Sequence, residues 1–252
     1  MESVITIISE QPKLNDPILI EGLPGVGNVG KLAAEHLLDN IEAVKFADIY
    51  SKHFPPQVVL DENCVIEMVN NELYYAKGVG DGKDLIILVG DYQGLTPEGQ
   101  YELAYHIIQM CLELGVKMIF TLGGYGVGKM VEEPRVLGAV TDLEIREKLE
   151  AHNVVFSAGE PGSGIVGASG LLLGLGKIFN INAACLMGET SGYFVDPKGA
   201  EAVLRVLNSI IGLEIDMSEL ESKAKQIDQI TSKIKDMESP SEPDRDDLGY
   251  IG

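Results

Sequence analysis

Short apolar runs alternate along the chain with longer stretches whose apolar residues recur at helical spacing. Residues 18–21 (Ile-Leu-Ile-Glu) predict a buried strand, and 28–40 predict a helix with Val29, Leu32, Ala33 and Leu37 on one face. Strands follow at 44–50 and at 84–90, where Asp-Leu-Ile-Ile-Leu-Val-Gly is the clearest buried run. Between them, 64–69 and 73–77 flank Asn70-Asn71, a pattern that predicts a hairpin turn. Thr96-Pro97-Glu98 opens a helix with Thr96 as its N-cap and Pro97 in its first position, ending at Gly115. A strand at 116–122 then runs into a glycine loop at 123–128. Strands at 154–157 and 183–187 bracket a glycine-rich helix from about residue 165, and 197–211 closes the pattern as a helix. The alternation predicts an α/β fold with a mixed, mainly parallel sheet flanked by helices. Ligands in such folds gather at the carboxyl ends of the strands.

Beyond Gly212 the pattern changes. Residues 216–238 are charged, with Met217, Leu220, Ala224, Ile227, Thr231 and Ile234 spaced as a short heptad seam widened by Ile230 and Met237. Such a helix either pairs with a partner helix or lies on its own domain. Residues 239–247 hold no apolar side chain besides proline, which predicts a disordered acidic linker. The chain then ends Leu248-Gly-Tyr-Ile-Gly252, three apolar side chains with nothing local to pack on. The predicted units are an α/β domain over 1–212, an amphipathic helix over 213–238 and a flexible tail over 239–252. Fourteen flexible residues reach about 20 Å on average.

A formal charge of −20, with 39 acidic against 19 basic residues, excludes nucleic acid as an expected partner, because phosphate binding needs Lys and Arg. Cys64, Cys111 and Cys185 each sit in an apolar run without a Cys-x-x-Cys pair, and read as buried free thiols. The N-terminus has no secretion signal, and the longest apolar run, near 165–179, is broken by glycines. A cytoplasmic protein with no membrane contact is expected.

Gly25-Val-Gly-Asn-Val-Gly30 follows a strand and opens a helix, the context of a dinucleotide-binding turn, with Asp48 near the place of a ribose-binding acid. The same residues read as Gly25-x4-Gly30-Lys31, one residue short of a phosphate loop, and Leu32 stands where a magnesium-binding hydroxyl would be; no strand-end acid with a clear metal role compensates, Asp91 being the closest candidate. A tight turn with close helix–strand contact explains the glycines equally. Gly25, Gly27, Gly30 and Lys31 are thus the candidate anion-binding residues. Glycine loops at 123–128 and 159–164 could frame a pocket with them. Catalytic patterns are thin. His36, His53, His106 and His152 lack metal-ligand spacing, no serine among Ser163, Ser169 and Ser191 completes a nucleophile elbow, and Glu132, Glu133 and Glu189 are isolated acids near loops. No catalytic residue, metal or cofactor is expected.

Several stretches together resemble the proteasome-assembly-chaperone family, in particular its archaeal members: Glu21-Gly-Leu-Pro-Gly-Val-Gly-Asn-Val-Gly-Lys-Leu-Ala-Ala-Glu-His36, His53-Phe-Pro-Pro56, Gly123-Gly-Tyr-Gly126 with Glu133-Pro-Arg-Val-Leu-Gly138, and Leu186-Met-Gly-Glu-Thr-Ser-Gly-Tyr-Phe-Val-Asp-Pro197. The resemblance implies a phosphorylase/hydrolase-like fold without a catalytic site. It also implies an ATP-independent homo-oligomer that binds the α subunits of the 20S proteasome in assembly or docking. Docking members insert a C-terminal hydrophobic–tyrosine–any-residue tail between α subunits. Here tyrosine is third from the end and follows Gly249, a register shifted by one. The carry-over covers Tyr250 and the carboxylate of Gly252, with Leu248 and Ile251 as apolar contacts. The competing expectation is a phosphorylase-like small-molecule enzyme or nucleotide- or anion-binding protein using the Gly25–Lys31 loop. A scaffold acting through the 216–238 helix is a third.

Overall fold

The computed structural model describes residues 3–157, 159 and 164–238. In chain order the elements are β1 (Val4–Ile8), β2 (Ile18–Gly22), α1 (Val29–Asp39), β3 (Val44–Ser51), β4 (Val58–Leu60), β5 (Ile66–Met68), β6 (Asn71–Val79), β7 (Lys83–Gly90), α2 (Pro97–Leu114), β8 (Met118–Gly126), β9 (Val136–Val140), α3 (Leu143–Glu150), β10 (Val154–Val155), α4 (Ala168–Ile178), β11 (Asn182–Thr190), α5 (Pro197–Ile211) and α6 (Ser218–Glu238). A nine-stranded sheet has the order β1-β3-β6-β7-β2-β8-β11-β9-β10, and β4 and β5 form a separate two-stranded sheet.

The large sheet is mixed, as expected. Parallel pairing joins β7, β2, β8 and β11 at its centre and β9 with β10 at one edge. The β1, β3 and β6 side pairs antiparallel, as does β11 with β9. Central strands buried on both faces need apolar residues at every position, which is why β7 reads Leu-Ile-Ile-Leu-Val without alternation. Leu19, Ile119 and Cys185 face a core closed by α2 and α4; Ile20, Phe120 and Leu186 face a second core closed by α1 and α5. Met217 and Leu220, at the start of α6, are buried in that second core, and Arg205 of α5 binds Glu221 at 2.9 Å. The first turns of the charged helix therefore lie on the chain's own body.

Side-chain caps mark the starts of α2, α3 and α5, the first of them as the sequence predicts. Thr96 Oγ1 accepts the Gly99 amide at 3.1 Å with Pro97 in the first turn, and Asp196 accepts the Gly199 amide at 2.9 Å ahead of α5. Among the described residues, no helix is long and apolar enough to cross a membrane.

Three expectations are corrected. Asn70-Asn71 is not a hairpin turn: β5 pairs with β4, while β6 turns into β7 through Gly80 and Gly82, which adopt φ of 59° and 79°. Residues 123–126 are not a loop but the end of β8, paired residue by residue with β11. Cys64 is exposed in the β4–β5 turn, whereas Cys111 and Cys185 are buried as expected. The apolar neighbours of Cys64 project into solvent, so its apolar context did not imply burial.

Candidate functional site

The central strands β7, β2, β8 and β11 are parallel, so their carboxyl ends and the connections that follow them gather at one edge. The turn after β2 is tied to the connections that follow β7 and β11. Gln93, after β7, donates from Nε2 to the Pro24 carbonyl at 2.7 Å and accepts at Oε1 the Ala168 amide of α4 at 2.8 Å. The Asp196 amide, after β11, donates to the Gly27 carbonyl at 2.8 Å. One short turn thereby links two further loops and a helix start.

This explains the glycines. Gly27 has φ of 64°, and a Cβ there would lie 2.8 Å from Thr190 Oγ1. A Cβ on Gly30 would lie 2.0 Å from the Leu122 carbonyl oxygen, inside van der Waals contact with the backbone of β8. Both positions need glycine so that α1 can pack onto the sheet. Gly25 differs: its backbone is extended and a Cβ would meet nothing within 4 Å. Lys31 is engaged, 3.5 Å from Glu35 and 3.6 Å from Asp91. The structure thus brings Asp91 to Lys31, while Asp48 lies within β3, level with Val89 but separated from β2 by β6 and β7, and bonded to Lys45 and Asn70.

Beneath the turn lies a polar row that sequence pattern did not single out. Glu21, Thr121 and Cys185 are register partners across β2, β8 and β11, all fully buried. Glu21 Oε1 accepts the Leu23 amide at 2.9 Å, and Ser169 of α4 donates to Oε2 at 3.1 Å. Burial outweighs these two bonds and raises the Glu21 carboxyl to about 7. The only signal in sequence was an acid ending an otherwise apolar strand. Burial also pushes the thiols of Cys111 and Cys185 up to about 12, so both stay protonated and unreactive at neutral pH.

The other candidates are scattered. Glu189 accepts the Arg135 amide at 3.1 Å and its Nε at 3.0 Å, and these bonds hold its carboxyl below the usual range. Ser191 is buried and accepts the Tyr193 amide. His53 pairs with Glu102 at 2.9 Å, His106 with Thr6 at 2.6 Å, His152 with Ser209 at 2.6 Å, and His36 with the Asp216 carbonyl at 2.7 Å. Among the described residues, no group of three or more His, Cys, Asp or Glu is placed to hold a metal ion. Beside the glycine turn, Tyr193, Phe194 and Val195 are exposed after β11. Ser163 and the tail residues Leu248, Tyr250, Ile251 and Gly252 lie outside the described residues.

The PAC2 family model matches residues 19–235. The chain belongs to the PAC2 family. Its likeness to two solved archaeal structures is close. PbaB of Pyrococcus furiosus, an archaeal proteasome activator, is 43% identical with a TM-score of 0.88, covering 93% of this chain and 100% of that one. PbaA of the same organism, an archaeal homolog of proteasome-assembly chaperone, is 26% identical with a TM-score of 0.78 over 94% and 93% of the two chains. An uncharacterized protein of Methanocaldococcus jannaschii is 41% identical over 263 residues, the full length of both chains.

Proposed function

We propose that this PAC2 protein is an ATP-independent binding partner of the 20S proteasome, acting as several copies that engage the α subunits through the tail at 248–252. The observation that carries the reading is the 43% identity, over 93% of the chain, to an archaeal proteasome activator. Identity to the assembly-chaperone homolog is lower, 26%, which favours docking on a finished particle over assembly. In this reading residues 1–212 are the body, 213–238 the helix that carries the tail away from it, and 239–252 the tether and contact. The site of action is the cytoplasm.

The chemistry of the tail suits a pocket. Tyr250 supplies an apolar anchor, the Gly252 carboxylate one charge, and Leu248 and Ile251 flanking contacts. One such contact is weak, but several presented together gain on the order of 10²–10⁴ in avidity. Binding rather than catalysis is supported by the glycine turn, whose Gly27 and Gly30 have packing reasons to be glycine and whose lysine is already paired.

The test is capture of purified core particle by the full chain and by one ending at Asp247. Truncation is expected to abolish capture while the melting temperature and assembly state persist. Unchanged affinity after truncation would refute the tail mechanism.

A further inference from the structure

The β4–β5 hairpin stands apart from the body. Among the described residues it pairs only with itself, Val58 opposite Met68 and Leu60 opposite Ile66, and none of its apolar side chains joins either core. Val58, Leu60, Val65, Ile66 and Met68 are all exposed, Ile66 by 66%. A lone two-stranded sheet is marginal in water, and this one sets its apolar residues outward. Yet its tip is locked: Asp61 Oδ1 accepts the amides of Asn63 at 2.9 Å and Val65 at 2.7 Å. It is a preformed apolar wedge with nothing of its own to enter.

Elsewhere the same chain carries a matching socket. A groove of about 490 Å³ runs between α2 and α4, lined by Tyr101, Ile165, Val166, Leu171 and Ile178 among others, with no charged side chain in its wall among the described residues. Val166 is 91% exposed and Ile178 70%. The eleven-residue α4 is about 16 Å long, and a three-residue strand about 10 Å, so the groove has room for the hairpin along its length.

We propose that the β4–β5 hairpin of one copy inserts into the α2–α4 groove of a second copy. Charge selects this occupant. The chain carries −20, so two copies can meet only where the surfaces are neutral or complementary. Among the described residues the groove wall is neutral, exposed Lys177 follows it beside Ile178, and the hairpin brings Asp61, Glu62 and Glu67, all exposed. An acidic lipid surface is disfavoured because residues 57–68 contain no Lys or Arg. Wedge and socket lie on different elements, so the contact is head-to-tail and each copy offers one of each. This deepens the multi-copy reading above and rests on it.

Two variants test it, Ile66→Glu in the wedge and Val166→Glu in the socket, both at exposed positions that leave the fold intact by circular dichroism and melting temperature. Sedimentation analysis of the wild type is expected to show an assembly, and each variant alone a monomer. An equimolar mixture of the two is expected to form a one-to-one dimer, because Ile66→Glu retains a good groove and Val166→Glu a good hairpin. A mixture that stays monomeric, or a Val166→Glu protein that stays assembled, overturns the hairpin-in-groove contact. Assembly unaffected by either variant overturns the interface while the multi-copy reading stands; a monomeric wild type overturns both.

Discussion

The glycine turn at 22–30 and the hairpin at 58–68 differ in what their side chains and backbone meet. In sequence the turn reads equally as a ligand cradle and as a tight packing turn, and in space Gly27 and Gly30 serve a packing joint in which α1 meets β8 and two further loops are tied to the turn. The hairpin has the look of ordinary core strands, yet its aliphatic residues stand in water. Local pattern reports the conformation a segment adopts; only contact decides whether that segment binds, packs or projects. The two regions therefore predict opposite responses to substitution.

The largest effect is expected at Gly30. Alanine is a better helix former than glycine by about 1 kcal/mol. Against this, the added Cβ would sit 2.0 Å from the Leu122 carbonyl oxygen, on a central strand that cannot yield without moving the sheet. The clash wins, and Gly30→Ala should lose about 3 kcal/mol or more in urea unfolding. Gly25→Ala, in the same turn, has open space and an extended backbone, and should be unchanged or stabilised by up to about 1 kcal/mol. Equal losses at the two positions would show that the turn is not the packing joint described.

The next effect lies under the turn and depends on pH. Glu21 titrates near 7 in the folded chain against an ordinary 4.5, so the folded state holds its proton more tightly than the unfolded state does. Stability from this group is fully present below about 4.5 and is lost as pH rises through about 7, a total of about 3 kcal/mol. Glu21→Gln removes the titration while keeping an acceptor for the Leu23 amide. The difference between wild type and Glu21→Gln in unfolding free energy should therefore shift by about that amount between pH 4.5 and 8, in favour of the variant at high pH. Parallel curves across that range would mean that water reaches the carboxylate.

Much of this architecture was legible because its signals are local. The β7 run, the Thr96 cap and the apolar face of α1 all declare themselves within a dozen residues. What stayed hidden depends on long-range pairing. The short strand β9 is stabilised by β11, which lies more than forty positions away, and the β5 residues gave no sign that they pair with β4 instead of β6. The site divides in the same way. Gly30 was identified by motif, but its reason, the Leu122 carbonyl, sits on another strand; the Glu21–Ser169 bond spans 148 positions and left only a terminal acid on an apolar strand as its trace.

The smallest effect should fall on the hairpin, and its smallness is the point. Ile66→Ser removes an aliphatic side chain, a change that in β7 would open a cavity and cost several kcal/mol. At Ile66 there is no cavity to open, since the side chain is two-thirds exposed and stands opposite Leu60 in a hairpin outside both cores. In dilute solution the loss should stay below about 1 kcal/mol. If a second copy covers the hairpin, the apparent loss should grow as protein concentration rises, because assembly stabilises only the wild type by mass action. Unfolding free energies measured across a hundredfold range of concentration separate the two cases. A loss that is small and constant would leave the hairpin as solvent-facing surface, and a loss that is large even at high dilution would mean that it belongs to the core after all.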